Sequence, residues 1–303
     1  MNVNAMSLFR RWSWGLWLLL AAPLHAQVNP DMTTPIEPFR IVGNLYYVGS
    51  KDLASYLIVT SAGDILINSN LESSVAQIRH SVEELGFKFT DIRILLISHA
   101  HFDHDAGSAE LKRQSGARYM VMDDDVPVVE SGGAKDFQYS KSSRYPPAKV
   151  DRVLHDGDEV RLGGTVLVAH KTPGHTRGCT TWTLRVPEGG KVLNVVIVGS
   201  WNVNPGYRLL DRPGQPASYP GIAMDFERTF RILEQLPCDV FLGAHGAYFD
   251  MLGKLKRRTA SAPTDVWVDP QGYLAKVHER EAAFRAELAR ESPASAAAEA
   301  PRS

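Results

Sequence analysis

Cysteine is scarce in this 303-residue chain: Cys179 and Cys238 are the only two. A disulfide framework of the kind that staples small secreted domains is therefore excluded, and a chain of this length can bury a sufficient core without one. A single pair at unknown separation establishes no bridge, and two buried free thiols are expected. Neither Gly178-Cys179-Thr180 nor Pro237-Cys238-Asp239 offers an adjacent base for a cysteine nucleophile. Charge of one sign is lacking too. The chain holds 33 Lys and Arg against 34 Asp and Glu, a net charge of −1, and without a basic excess no nucleic-acid partner is expected. Long hydrophobic runs are also missing. The most apolar stretch, residues 12–22, falls short of the roughly 20 residues of a spanning helix.

That stretch reads instead as a secretory leader. Arg10 and Arg11 precede the apolar segment, and Leu24-His25-Ala26 places a small residue before a cut at Ala26/Gln27. Residues 1–26 are thus expected to be a signal peptide, with a periplasmic mature chain and no membrane association after cleavage. The arginine pair also hints at twin-arginine export, a weaker match. The leader carries two arginines and no acid, so its loss takes the net charge from −1 to −3.

Short β-favouring runs fill residues 41–68, and Leu71, Val75, Ile78, Val82 and Leu85 then follow helical spacing up to Gly86. Ile94-Leu95-Leu96-Ile97 reads as a strand buried on both faces. A helix is expected from about Ser108, and residues 126–150 as a long loop that covers a site. The second half repeats the plan. Strands are expected over 158–170, 180–186 and 192–199, then a helix bearing Ile222, Phe226, Phe230, Leu233 and Leu236. The buried strand Asp239-Val240-Phe241-Leu242 follows, then a last helix with Tyr273, Val277, Phe284 and Leu288. This order predicts an α/β fold of αββα type, two β-sheets packed face to face with helices outside. No linker divides the halves, so 27–291 is expected as one domain. The Ala/Ser/Pro-rich tail 292–303 is expected to be disordered.

Chemistry concentrates in His99-Ala100-His101-Phe102-Asp103-His104. Neutral imidazole and carboxylate suit a borderline-soft divalent metal, for which zinc is the default. In an extended loop His99 and His101 can grip one ion, and Asp103 and His104 can turn to a second. His175 follows a Pro-Gly turn and His245 lies between Gly243-Ala244 and Gly246; together they supply one further ligand per site. Two Zn²⁺ per chain are therefore expected. His80, His155 and His278 show no such role, and His170 could at most stand behind a ligand.

The His-x-His-x-Asp-His segment resembles the hallmark of the metallo-β-lactamase superfamily, and the resemblance spans roughly residues 40–290. It implies the metallo-β-lactamase fold, with His99, His101 and His175 on the first zinc and Asp103, His104 and His245 on the second. Most branches place a bridging aspartate after a strand of the second half, where this chain has Val196-Ile197-Val198-Gly199-Ser200. Ser200 together with His104 resembles the third subclass of class B β-lactamases. The stretch Ser200 to Tyr207 looks like that subclass's substrate-recognition segment. The subclass commonly pairs a cysteine near 238 with one close to the C-terminal helix, a place that Tyr273 takes here.

The resemblance implies hydrolysis of the β-lactam amide of penicillins, cephalosporins and carbapenems by a hydroxide that zinc makes available near neutral pH. Asp103 would anchor the second zinc and orient the nucleophile, with Tyr207 an added oxyanion donor. Ser200 and Asn202 would bind the substrate carboxylate. Plain packing of Tyr207 and loop capping by Ser200 and Asn202 are equally open. The expected partner is a small-molecule β-lactam, and the expected state a monomer. A lactonase or thioesterase of the same fold is the alternative, with Ser200 against it. A non-catalytic zinc protein and a metallo-nuclease rank lower.

Overall fold

The computed structural model describes residues 29–262 and 264–292. The expected leader, its cleavage point and nearly all of the tail lie outside them. The first half forms a seven-stranded sheet in sequential order. Its strands are β1 (Phe39–Val42), β2 (Leu45–Tyr47), β3 (Tyr56–Thr60), β4 (Gly63–Ile67), β5 (Ile92–Leu96), β6 (Arg118–Met122) and β7 (Arg152–Leu154). β1 to β4 form an antiparallel meander; β4 to β7 run parallel. The second sheet holds β8 (Glu159–Leu162), β9 (Thr165–Lys171), β10 (Thr180–Glu188), β11 (Lys191–Val198) and β12 (Val240–Gly243), in the order β12-β11-β10-β9-β8.

Side chains that alternate along a strand reach opposite faces. In β5, Ile94 and Leu96 join the core between the sheets, while Ile92 and Leu95 face outward beneath helices. The outer layer includes α1 (Ser74–Glu84), α2 (Phe102–Asp105), α3 (Ser108–Ser115) and α4 (Val126–Glu130). Val75, Ile78 and Val82 form the buried stripe of α1, and Gly86 follows its end at φ +86°. Leu111 of α3 joins the same outer core. Beyond the second sheet lie α5 (Ile222–Gln235), α6 (Met251–Arg257) and α7 (Pro270–Glu291). Phe284 of α7 stacks on Phe226 and Phe230 of α5, with ring centroids 5.4 and 5.7 Å apart. Two sheets face to face with helices outside are what the element order predicts.

The unbroken loop expected over 126–150 is corrected: it opens with α4, whose Pro127 suits a helix start where no N–H bond is needed. β6, β7 and α6 were not expected from the pattern. β6 alternates apolar contacts on both faces, so no period-two polar signal marks it. Cys179 and Cys238 are both free, as expected, but only Cys179 is buried; Cys238 is half-buried. Among the described residues, no helix is long and apolar enough to cross a membrane.

β9, β11 and β12 all point the same way, because β10 runs against β9 and β11 while β12 runs with β11. The loops leaving their carboxyl ends meet the loop leaving β5 along one edge of the sandwich.

Candidate metal centre

Each ligand-bearing loop is fastened just before its histidine. Ahead of His99, Trp182 Nε1 donates to the Ile97 carbonyl at 3.0 Å and the Thr180 N–H to the Ser98 carbonyl at 2.8 Å, so β10 holds the end of β5. Ahead of His175, Thr229 Oγ1 donates to the Pro173 carbonyl at 2.6 Å. Ahead of His245, the Tyr56 hydroxyl donates to the Gly243 carbonyl at 2.7 Å, linking the first sheet to β12.

The loops bring all six expected ligands into one cluster. His99, His101 and His175 converge with their ligand atoms within 4.8 Å of one another, and His101 Nδ1 lies 3.1 Å from His175 Nε2. His104 Nε2 lies 3.2 Å from His245 Nε2, and Asp103 Oδ2 is 3.4 Å from the first and 3.7 Å from the second. Donors about 2.1 Å from a tetrahedral zinc stand about 3.4 Å apart, so both groups fit such an ion. His99 also groups with Asp103 and His104 and sits between the two trios.

The electrostatics suit the same donors. Burial and the surrounding imidazoles hold His99 well below its ordinary pKa. Burial and His101 do the same for His175. Burial pushes His104 down to about 3 despite the pull of Asp103. These rings are neutral at physiological pH and keep a lone pair for a cation. Burial opposes the charge on Asp103, but His104 and His245 outweigh it and hold the carboxyl below its usual range. Burial also opposes a charge on His245, yet Asp52 and Asp103 raise its pKa.

The outward nitrogens of His245 and His175 have partners that the sequence did not reveal. His245 Nδ1 faces Asp52 Oδ2 at 3.2 Å, and His175 Nδ1 donates to the Asn202 carbonyl at 2.9 Å. Buried Asp125 accepts from the Ala100 N–H at 2.9 Å, the Thr176 hydroxyl at 2.8 Å and the Gly178 N–H at 2.9 Å. It thereby ties the His99–His101 loop to the His175 loop. The segment after α4 covers the centre: Tyr139 sits edge-on to His101 at 5.0 Å and the Tyr145 hydroxyl donates to the Ala100 carbonyl at 2.7 Å. The covering expected of residues 126–150 is thus present.

The other expected site residues are placed differently. The Tyr207 hydroxyl is buried and donates to the His175 carbonyl at 2.7 Å, so the packed arrangement stands here in place of a free oxyanion donor. Ser200 is buried and its hydroxyl meets the Tyr248 hydroxyl at 3.1 Å; Asn202 Nδ2 donates to the same oxygen at 3.0 Å. Tyr248 therefore occupies the polar groups expected to face a substrate carboxylate. His170 bonds Thr183 at 2.8 Å on the second sheet, outside the cluster.

The family model described as the metallo-beta-lactamase superfamily matches residues 53–245, which span all six expected ligands. The chain belongs to that superfamily. Native FEZ-1 metallo-beta-lactamase from Legionella gormanii is 51% identical, with a TM-score of 0.81 over 85% of this chain and 97% of that one. BJP-1, a subclass B3 metallo-beta-lactamase of Bradyrhizobium japonicum, is 34% identical with a TM-score of 0.80, over 87% of this chain and 98% of that one. A hydroxyacylglutathione hydrolase of Methylobacterium sp. (strain 4-46) is 33% identical over 99 residues, 33% of this chain and 31% of that protein. The chain matches about a third of the length of such curated relatives. Solved neighbours in subclass B3 agree with the resemblance to the third subclass. The donor set and its spacing equip this superfamily member to hold a divalent metal.

Proposed function

We propose that the protein is a β-lactamase that opens the amide of penicillins, cephalosporins and carbapenems with two zinc ions. The observation that carries this is the pair of adjacent ligand trios beside Ser200, a position without a carboxylate, on a fold 51% identical to FEZ-1. Zinc held there supplies a nucleophile derived from water near neutral pH and a Lewis acid for the amide carbonyl. His99, His101 and His175 hold one ion; Asp103, His104 and His245 hold the other. Asp103 anchors the second ion and orients the attacking water. Tyr207 keeps the His175 loop in place through its backbone carbonyl. Ser200 and Asn202 bind the substrate carboxylate once Tyr248 yields its bonds. The mature chain, from Gln27, is a periplasmic monomer with residues 27–291 as one domain.

A thioesterase reading has one specific support, the partial likeness to hydroxyacylglutathione hydrolases. The deciding test assays the purified protein against a carbapenem, a penicillin, a homoserine lactone and a glutathione thioester in one zinc-supplemented buffer. β-Lactam turnover should dominate, vanish with chelator and return with zinc. Faster thioester or lactone turnover with negligible β-lactam hydrolysis would overturn the reading.

A further inference from the structure

Asp136 lies in the segment between α4 and β7, far in sequence from every ligand, yet its carboxyl group is buried against the metal cluster. Its two oxygens do different work. Oδ1 accepts the backbone N–H of Gln138 at 2.7 Å and of Tyr139 at 2.5 Å, which fixes the turn and the side chain's direction. Oδ2 faces His101 Nε2 at 3.4 Å. That nitrogen is buried and makes no hydrogen bond, while Nδ1 of the same ring points at His175.

A neutral imidazole that offers Nδ1 to a metal carries its proton on Nε2. Buried without an acceptor, that N–H costs roughly as much as a lost hydrogen bond. Asp136 Oδ2 is the acceptor in place. The gap of 3.4 Å exceeds a formed N–H···O bond and closes with a shift of a few tenths of an ångström. A cation on Nδ1 polarises the N–H and favours that closure. The Tyr139 ring, edge-on to His101, limits the rotation that would take the ring out of line.

We infer that Asp136 is a positioning residue for the first metal site: it fixes the tautomer and orientation of His101 and couples the covering segment to metal occupancy. This rests on the metal assignment made above and not on the identity of the substrate. Asp136→Asn isolates the role, because the amide oxygen can keep the two turn bonds while the NH₂ that replaces Oδ2 cannot accept from His101. Asp136→Glu returns an acceptor.

The test is zinc binding by competition with a chromophoric chelator, alongside thermal melts of the zinc-free proteins and the visible spectrum of the cobalt-substituted ones. Asp136→Asn should weaken one of the bound zincs about 10- to 100-fold, the scale found for partners behind metal-binding histidines. It should alter the cobalt spectrum and leave the zinc-free melting temperature close to wild type, and Asp136→Glu should recover part of the affinity. Unchanged affinity in Asp136→Asn would overturn the inference, as would a zinc-free melting temperature that falls with it. A wild type that binds no zinc would overturn the metal assignment as well.

Discussion

Gly174 precedes His175 at φ +124°, a conformation that L side chains rarely adopt. A Cβ there would lie 2.8–2.9 Å from three ring carbons of Phe226. Phe226 has no exposed surface and is stacked on Phe284, so it cannot yield. Gly174→Ala therefore meets two costs. The backbone contributes about 1–3 kcal/mol, and forcing a methyl into a packed core contributes about 1–3 kcal/mol more. The sum, about 2–6 kcal/mol, corresponds to a fall in Tm of about 4–24 °C at about 2–4 °C per kcal/mol. Because the strain lies at the residue before a ligand, zinc affinity should fall with it. Gly157→Ala is the control: φ is +82° there, but nothing lies within 4 Å of the added carbon, so only the backbone cost applies. Thermal melts of both variants, with and without zinc, separate the terms. Phe226→Ala in the Gly174→Ala background should relieve the clash, with a coupling of about 1–3 kcal/mol. Equal losses for the two glycine variants, or a Gly174→Ala protein that binds zinc like wild type, would refute the reasoning.

Metal analysis after dialysis should approach two zincs per chain and fall towards one in Asp103→Asn or His104→Ala; a wild type saturating at one would remove the two-ion proposal. Ser200→Ala should keep its zinc and mainly raise KM for β-lactams, since its hydroxyl meets Tyr248 and no ligand; loss of metal would contradict that placement. Asp64 has its pKa pushed up to about 6 by burial. A carboxyl raised in the folded state favours folding while protonated and loses that advantage as pH climbs from about 4 to 6. Asp64→Asn should therefore melt higher than wild type at pH 7.5, with the gain gone at pH 4.

The ligands were legible because their signal is local. His99 to His104 lie within six residues, and His175 and His245 each follow a buried strand and a turn or glycine. The sandwich was legible for a similar reason, since the alternation of buried strands and amphipathic helices repeats twice. What supports the ligands was not. Asp52 stands 193 residues from His245, and Asp125 is 51 and 53 residues from the loop atoms it holds. Nothing in an isolated aspartate marks which distant nitrogen it will face; only strand order decides that. Ser200, Asn202 and Tyr207 were found as residues near the site, but their hydrogen-bond partners were not, because Tyr248 and the His175 carbonyl reach them through space. α4 was missed because a five-residue helix shows no usable period.

Each trio draws donors from both halves of the chain. His175 joins its partner His101 across 74 residues, and His245 joins His104 across 141. The two expected trios are therefore complete only when both halves have come together. During synthesis, a chain that has emerged only as far as β8 carries His99, His101, Asp103 and His104 without the donors that complete either trio. Completion of both trios thus comes only after the two sheets have docked, late in folding.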